Sequence, residues 1–101
     1  MTRHGIHIPE DQISMFCRRH HVRKLALYGS ILRDDFGSDS DVDVLIEFEP
    51  GLEVGLIRLA AMAREISNMF GGRPVDLRTP EDLSRYFRDD VVRTAEVHYA
   101  A

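Results

Sequence analysis

Residues 25–48 read LALYGSILRDDFGSDSDVDVLIEF, and no other stretch of the chain limits the fold as tightly. Two apolar runs of strand length flank a polar connection. The first stops at Gly29-Ser30, and the second carries aspartates at alternate positions, Asp41 and Asp43. In DVDVLIEF the alternation sets Val42, Val44, Ile46 and Phe48 on one side and Asp41, Asp43, Leu45 and Glu47 on the other. Residues i and i+2 of a strand lie about 6.5–7 Å apart along the backbone, so the two carboxylates share a face. Carboxylates that close repel, and one pKa rises unless a cation sits between them.

The rest of the chain alternates between helix and strand. PEDQISMFCRRHH (9–21) spaces Ile13, Phe16 and Cys17 at helical intervals, with Pro9 suited to the first turn and Arg18 and Arg19 to the negative end. VRKLALYG is a short buried strand, and SILRDDF one or two helical turns. From Leu56 to Phe70 the spacing predicts a helix whose inner face is Leu56, Leu59, Ala60, Ala63, Ile66 and Phe70, stopped by Gly71-Gly72. RPVDLRT is a third strand with Val75 and Leu77 inward and Asp76 on the opposite face. Thr79, Pro80 and Asp82 then carry the signature of a helix start. RDDVVRTAEVHYA is expected to close the chain as helix. The fold class is α/β (α+β), a small mixed sheet of three or more strands packed against helices, in one domain spanning 1–101.

Composition excludes several classes. With 44% hydrophobic and 30% charged residues among 101, the chain reads as globular. No apolar run approaches the ~20 residues that span a bilayer, and the N-terminus lacks the apolar core of a secretion signal, so the cytoplasm is the expected location and no membrane partner is expected. A net charge of -4 argues against strong nucleic-acid binding through phosphates; the basic stretch 18–24 is read as a solvated helix end, with a partner or RNA contact as the alternative. Cys17, the single cysteine, is read as a buried apolar side chain. The pairs His4/His7 and His20/His21 lack the partners a zinc site needs.

The paired aspartates point to a divalent ion. Oxygen-only ligands favour Mg²⁺ or Mn²⁺ over zinc, and Mg²⁺ completes its shell with water and substrate phosphates. Gly29 lets backbone approach a ligand closely, and Ser30 offers a hydroxyl at the start of a turn whose free N–H groups favour anions. The cation these carboxylates meet is thus read as one carrying a nucleoside triphosphate. The bland alternatives are a turn or cap role for Asp41, a solvated strand position for Asp43, and an Arg33 ion pair with Asp34 or Asp35.

Gly-Ser, ten residues, then Asp-x-Asp, met by Gly29, Ser30, Asp41 and Asp43, resembles the polymerase beta-like nucleotidyltransferase superfamily and its minimal (MNT) branch. The likeness runs from about Ile8 onward and takes in RPVDLRTPEDL and the closing YFRDDVVRTAEVHYA. It implies the polymerase beta-like nucleotidyltransferase fold. It also implies that Gly29 and Ser30 hold the β- and γ-phosphates and that Arg33 contacts phosphate. Asp41, Asp43 and Asp76 become the metal-binding and catalytic carboxylates, Asp76 helping to deprotonate the attacking hydroxyl. Asp34 stands where many relatives have glycine, and Gly37-Ser38 where Arg-Pro is frequent. Two Mg²⁺ ions (or Mn²⁺) would clamp an in-line displacement, with ATP as substrate and AMP transferred to a hydroxyl. The resemblance further implies an antitoxin paired with a HEPN-domain ribonuclease toxin and transferring AMP to a tyrosine of it. The alternatives are a module that inhibits the toxin by contact, or a transferase for a small metabolite or antibiotic. Exposed sheet edges leave self-association open.

Overall fold

The structure, a computed structural model, describes residues 2–37 and 39–101; Ser38, one of the positions that depart from the family pattern, lies outside them. A hairpin of β1 (Thr2–Arg3) and β2 (Ile6–His7) leads into α1 (Glu10–Arg19). β3 (Val22–Tyr28) follows, then a 3-10 turn over Gly29–Leu32 and β4 (Val42–Phe48). Next come α2 (Leu56–Met69), β5 (Val75–Arg78), a 3-10 turn over Pro80–Asp82, α3 (Arg88–Thr94) and β6 (Glu96–Ala100).

The four long strands form one mixed sheet in the order β5-β4-β3-β6, antiparallel except for the parallel pair β4/β5. α1 and α2 cover one face. There Ile13, Phe16 and Cys17 meet Val22, Leu25 and Leu27 of β3, Val42, Val44 and Ile46 of β4, and Met62 and Ile66 of α2. Alternation puts Ala26 and Tyr28 of β3, Asp43 and Leu45 of β4, and Asp76 of β5 on the other face. Ala26 and Leu45 are buried there too, and Leu83 beyond β5 is nearly so. The acidic positions therefore sit on a face that is partly roofed, at the end of β4 where the chain enters the sheet.

Three expectations need correction. The closing segment is not all helix: α3 ends at Thr94, and Glu96–Ala100 is a strand along the second edge of β3. Its register skips from Tyr99 opposite Leu25 to Val97 opposite Ala26, which leaves His98 as the extra residue of a bulge. The bulge turns the His98 ring inward, where Nδ1 lies 2.6 Å from Glu10 of α1 and Nε2 lies 2.8 Å from Glu96. The inner face of α2 keeps Leu59, Ile66 and Phe70 of the expected stripe but not all of it. Leu56 is 85% exposed and Ala60 is exposed, while Met62, absent from the expected stripe, is buried together with Ile66. Finally, Thr79 and Asp82 do form the reciprocal cap, but it closes a single 3-10 turn rather than opening a helix.

Candidate active site

The 3-10 turn over Gly29–Leu32 follows β3 directly, and the chain leaves the strand through a left-handed residue. Gly29 has φ +73°, and a Cβ there would lie 2.2 Å from Oδ2 of Asp43. Only glycine satisfies both the left-handed backbone and that close approach. The turn is thereby pressed against the carboxylate of the neighbouring strand. The backbone N–H of Ser30 donates to the Asp43 carboxylate, and its Oγ–H donates to the Asp41 carbonyl at 3.5 Å. The N–H group expected to face a phosphate is thus turned on Asp43.

Asp43 is in register with Tyr28 on one side and with Asp76 on the other. Its carboxyl pKa is pushed up by desolvation, then by the Asp76 charge and by Asp41, and is held back by the Ser30 N–H and by Arg33. Asp76, Asp41, Ser30 and Arg33, four of the five other residues expected at the site, thus act on Asp43, and the fifth, Gly29, lies against its side chain. The Tyr28 phenol is pushed up to about 12 by burial and then by Asp43 and Asp76. Three carboxylates gather here, offset by Arg33 near Asp43 and by Arg78 on Asp76, and an oxygen-donor set of this kind fits a divalent cation.

The set is not closed into a ligating cluster. Among the described residues no three acidic, imidazole or thiol groups converge as a metal site. Asp76 faces Arg78 instead, whose Nε donates to Oδ1 at 3.2 Å and to Oδ2 at 3.3 Å. Asp41 is exposed one residue before β4. Arg33 is exposed and donates to Asp35 at 3.3 Å, the local ion pair anticipated as its bland alternative, while still reaching Asp43 electrostatically.

A groove of about 570 Å³ adjoins the turn, lined by Tyr28, Gly29, Leu32, Arg33 and, from the far side, by Leu83, Phe87, Val91 and Thr94. Sequence reasoning missed the last four. Val91 and Thr94 lie on α3, which was taken to run to the chain end, while Leu83 and Phe87 belong to the irregular stretch before it.

The other singled-out residues have ordinary partners. His4 Nε2 lies 2.9 Å from the Ile31 carbonyl and its ring stacks on Phe36, while His20 meets Glu65 at 3.1 Å. In the basic stretch Arg19 pairs with Glu65 and Arg23 with Glu47. Cys17 is buried, with its thiol pushed up to about 12, so it is unreactive.

The fold is that of the minimal nucleotidyltransferases. The nucleotidyltransferase domain family matches residues 10–100, so the chain belongs to that family and is a nucleotidyltransferase. A curated protein of Methanocaldococcus jannaschii, named "Putative protein adenylyltransferase MJ0435", is 27% identical over 77 residues, 76% of this chain and 80% of that one. A solved toxin–antitoxin with AMP-PNP superposes with a TM-score of 0.74 at 18% identity, over 93% of this chain and 75% of the other. A structure described as a "putative minimal nucleotidyltransferase" gives 0.68 at 29% identity over 85% of each chain. One of tri-AMPylated Shewanella oneidensis HEPN toxin in complex with MNT antitoxin gives 0.66 at 17% identity, over 92% and 71%. Among the described residues no helix is long and apolar enough to cross a membrane.

Proposed function

We propose that the protein is an Mg²⁺-dependent adenylyltransferase that moves AMP from ATP to a hydroxyl, a tyrosine of a partner HEPN toxin, and thereby acts as an antitoxin. The observation that carries this reading is the contact between the Gly29 turn and Asp43, with Asp76 in register beyond it. It sets a phosphate-sized turn, a metal-type carboxylate pair and a candidate base side by side. The relatives with AMP-PNP and with an AMPylated HEPN toxin support the nucleotide and the acceptor.

Asp41, Asp43 and Asp76 would hold the metal, which when bound supplies charge neutralisation at the leaving pyrophosphate and acidifies the attacking hydroxyl. Ser30 would release Asp43 and turn its N–H and hydroxyl to the β- and γ-phosphates, with Arg33 beside them. The acceptor oxygen bonds to the α-phosphorus, the bond from the α-phosphorus to its bridging oxygen breaks, and pyrophosphate leaves. The proton of the hydroxyl passes to Asp76 once that carboxylate has left Arg78. The groove beside Gly29 gives the nucleoside an apolar wall, with the Phe87 ring free to stack.

One observation favours a second reading. The Arg78 contact to Asp76 occupies the candidate base, as in a module that inhibits its toxin by contact alone. Incubation with labelled ATP and Mg²⁺, with and without the product of the neighbouring reading frame, separates the two by intact mass. The transferase adds AMP units to the partner, and the double variant Asp41→Asn/Asp43→Asn does not. Tight binding and toxin inhibition with no mass change would support the contact reading, and AMP found only on small molecules would sink both.

A further inference from the structure

We infer that Arg73 is a positioning residue for Asp41, setting that carboxylate against Asp43 by gripping the loop that delivers it. The inference rests on the reading that Asp41 holds a metal ion. Asp41 lies outside the β4 ladder, whose register with β5 begins at Val42 opposite Val75. Sheet pairing alone therefore does not place it. Besides the Ser30 hydroxyl on the Asp41 carbonyl, what places it is the segment just before β5.

Arg73 Nη1 donates to the Gly37 carbonyl at 3.0 Å and to the Ser40 carbonyl at 3.4 Å. Its guanidinium carbon stands 4.9 Å from the centre of the Phe36 ring in the same loop. The Ser40 carbonyl belongs to the peptide unit immediately before Asp41. The next unit, immediately after Asp41, is held by the Val42 N–H donating to the Pro74 carbonyl at 2.8 Å. Residues 73 and 74 thus hold both peptide planes that flank the aspartate. Arg73 is itself anchored, since Ser67 of α2 donates to its carbonyl at 2.7 Å. The anchored strand carries Asp76 two residues past Pro74, so one short segment sets the placement of Asp41 and of the third carboxylate together.

An arginine is needed for this. Both bonds leave the same nitrogen, and the rest of the planar guanidinium lies over the Phe36 ring, a stacking contact that a compact, strongly hydrated lysine ammonium does not reproduce. The loss should therefore appear in Arg73→Lys as well as in Arg73→Ala, and should appear at the metal site rather than only in stability.

The test uses the full chain with Mn²⁺ as probe, its dissociation constant read by electron paramagnetic resonance. Hydrogen exchange of the peptide spanning residues 36–42 is followed in the metal-free protein. Arg73→Ala and Arg73→Lys are compared with wild type, with Asp41→Asn, and with Arg64→Ala, an exposed arginine on α2. Expected are Mn²⁺ binding weaker on the order of 10–100-fold for Arg73→Ala, a smaller loss for Arg73→Lys, faster exchange of the loop in both, and no change for Arg64→Ala. If Arg73→Ala does not fold, Arg73→Lys, which keeps stem and charge, decides the matter. Mn²⁺ affinity within twofold of wild type in folded Arg73 variants, where Asp41→Asn abolishes binding, overturns the inference. A wild-type chain that binds no Mn²⁺ overturns the metal reading instead. Loop exchange then decides alone, and unchanged protection in the Arg73 variants defeats the positioning role.

Discussion

Gly29→Ala tests whether the turn and the carboxylate are a single device. The backbone at Gly29 has φ +73°, a region that costs an L-residue roughly 1–2 kcal/mol. For a domain of this size 1 kcal/mol shifts the melting temperature by about 4–8 °C, so a drop of about 4–16 °C is expected from the backbone alone. The second effect is local. A Cβ at 2.2 Å from Asp43 Oδ2 falls about 1.2 Å short of ordinary contact, and displacement of a reacting geometry by ~1 Å costs on the order of 100-fold in rate. The carboxylate is the end of a side chain and can rotate away, so the variant should fold with its Asp43 misplaced. Pyrophosphate release at saturating MgATP, run beside thermal melting, separates the two effects. A folded Gly29→Ala protein within twofold of wild-type turnover would refute the argument that glycine is there for Asp43. Loss of activity without any fall in melting temperature would refute the strain at residue 29.

Two further outcomes follow from the same geometry. The Asp43 carboxyl is pushed up from its ordinary value by burial and by Asp76. Its folded pKa therefore exceeds its unfolded one, and stability is lost as pH rises from the unfolded value through the folded value. Asp43→Asn should then melt higher than wild type near neutral pH while being inactive, and the gain should vanish once the pH falls below the ordinary carboxylate range; a variant less stable than wild type at neutral pH contradicts the crowding of like charge. On α2, Met62→Ala should cost about 2–5 kcal/mol in urea unfolding, while Leu56→Ala, at a position 85% exposed, should stay within about 0.5 kcal/mol. Equal losses at the two positions would mean that the helix face is misassigned.

What could be read along the chain and what could not divide on physical grounds. The β4 alternation, the buried stripe of α1 and the Gly-Ser turn are local patterns, and each was legible because period and turn chemistry act over a few residues. The inner face of α2 was legible in part: Leu59, Ile66 and Phe70 face the core as expected, while Leu56 and Ala60 do not. Its first eight residues, LIRLAAMA, are apolar nearly all round, so periodicity offered two stripes, and contact with the sheet chose the one through Met62. The strand at Glu96–Ala100 was missed for a related reason. Helical spacing through Val91 and Val92 continues into it without Gly or Pro, and only the vacant edge of β3 makes it a strand, with the bulge at His98 accommodating the join. Asp76 shows the same division inside the site. Its place on a strand is visible in RPVDLRT, but its position opposite Asp43 depends on parallel pairing that no local pattern encodes. Arg73 had no sequence signal at all, because its partners are carbonyls in a loop more than thirty residues earlier. The residues that would touch substrate lie at points where local rules break, a glycine at positive φ and aspartates on a strand, and so announce themselves. Those that aim them lie where the chain is unremarkable, and only the assembled sheet reveals them.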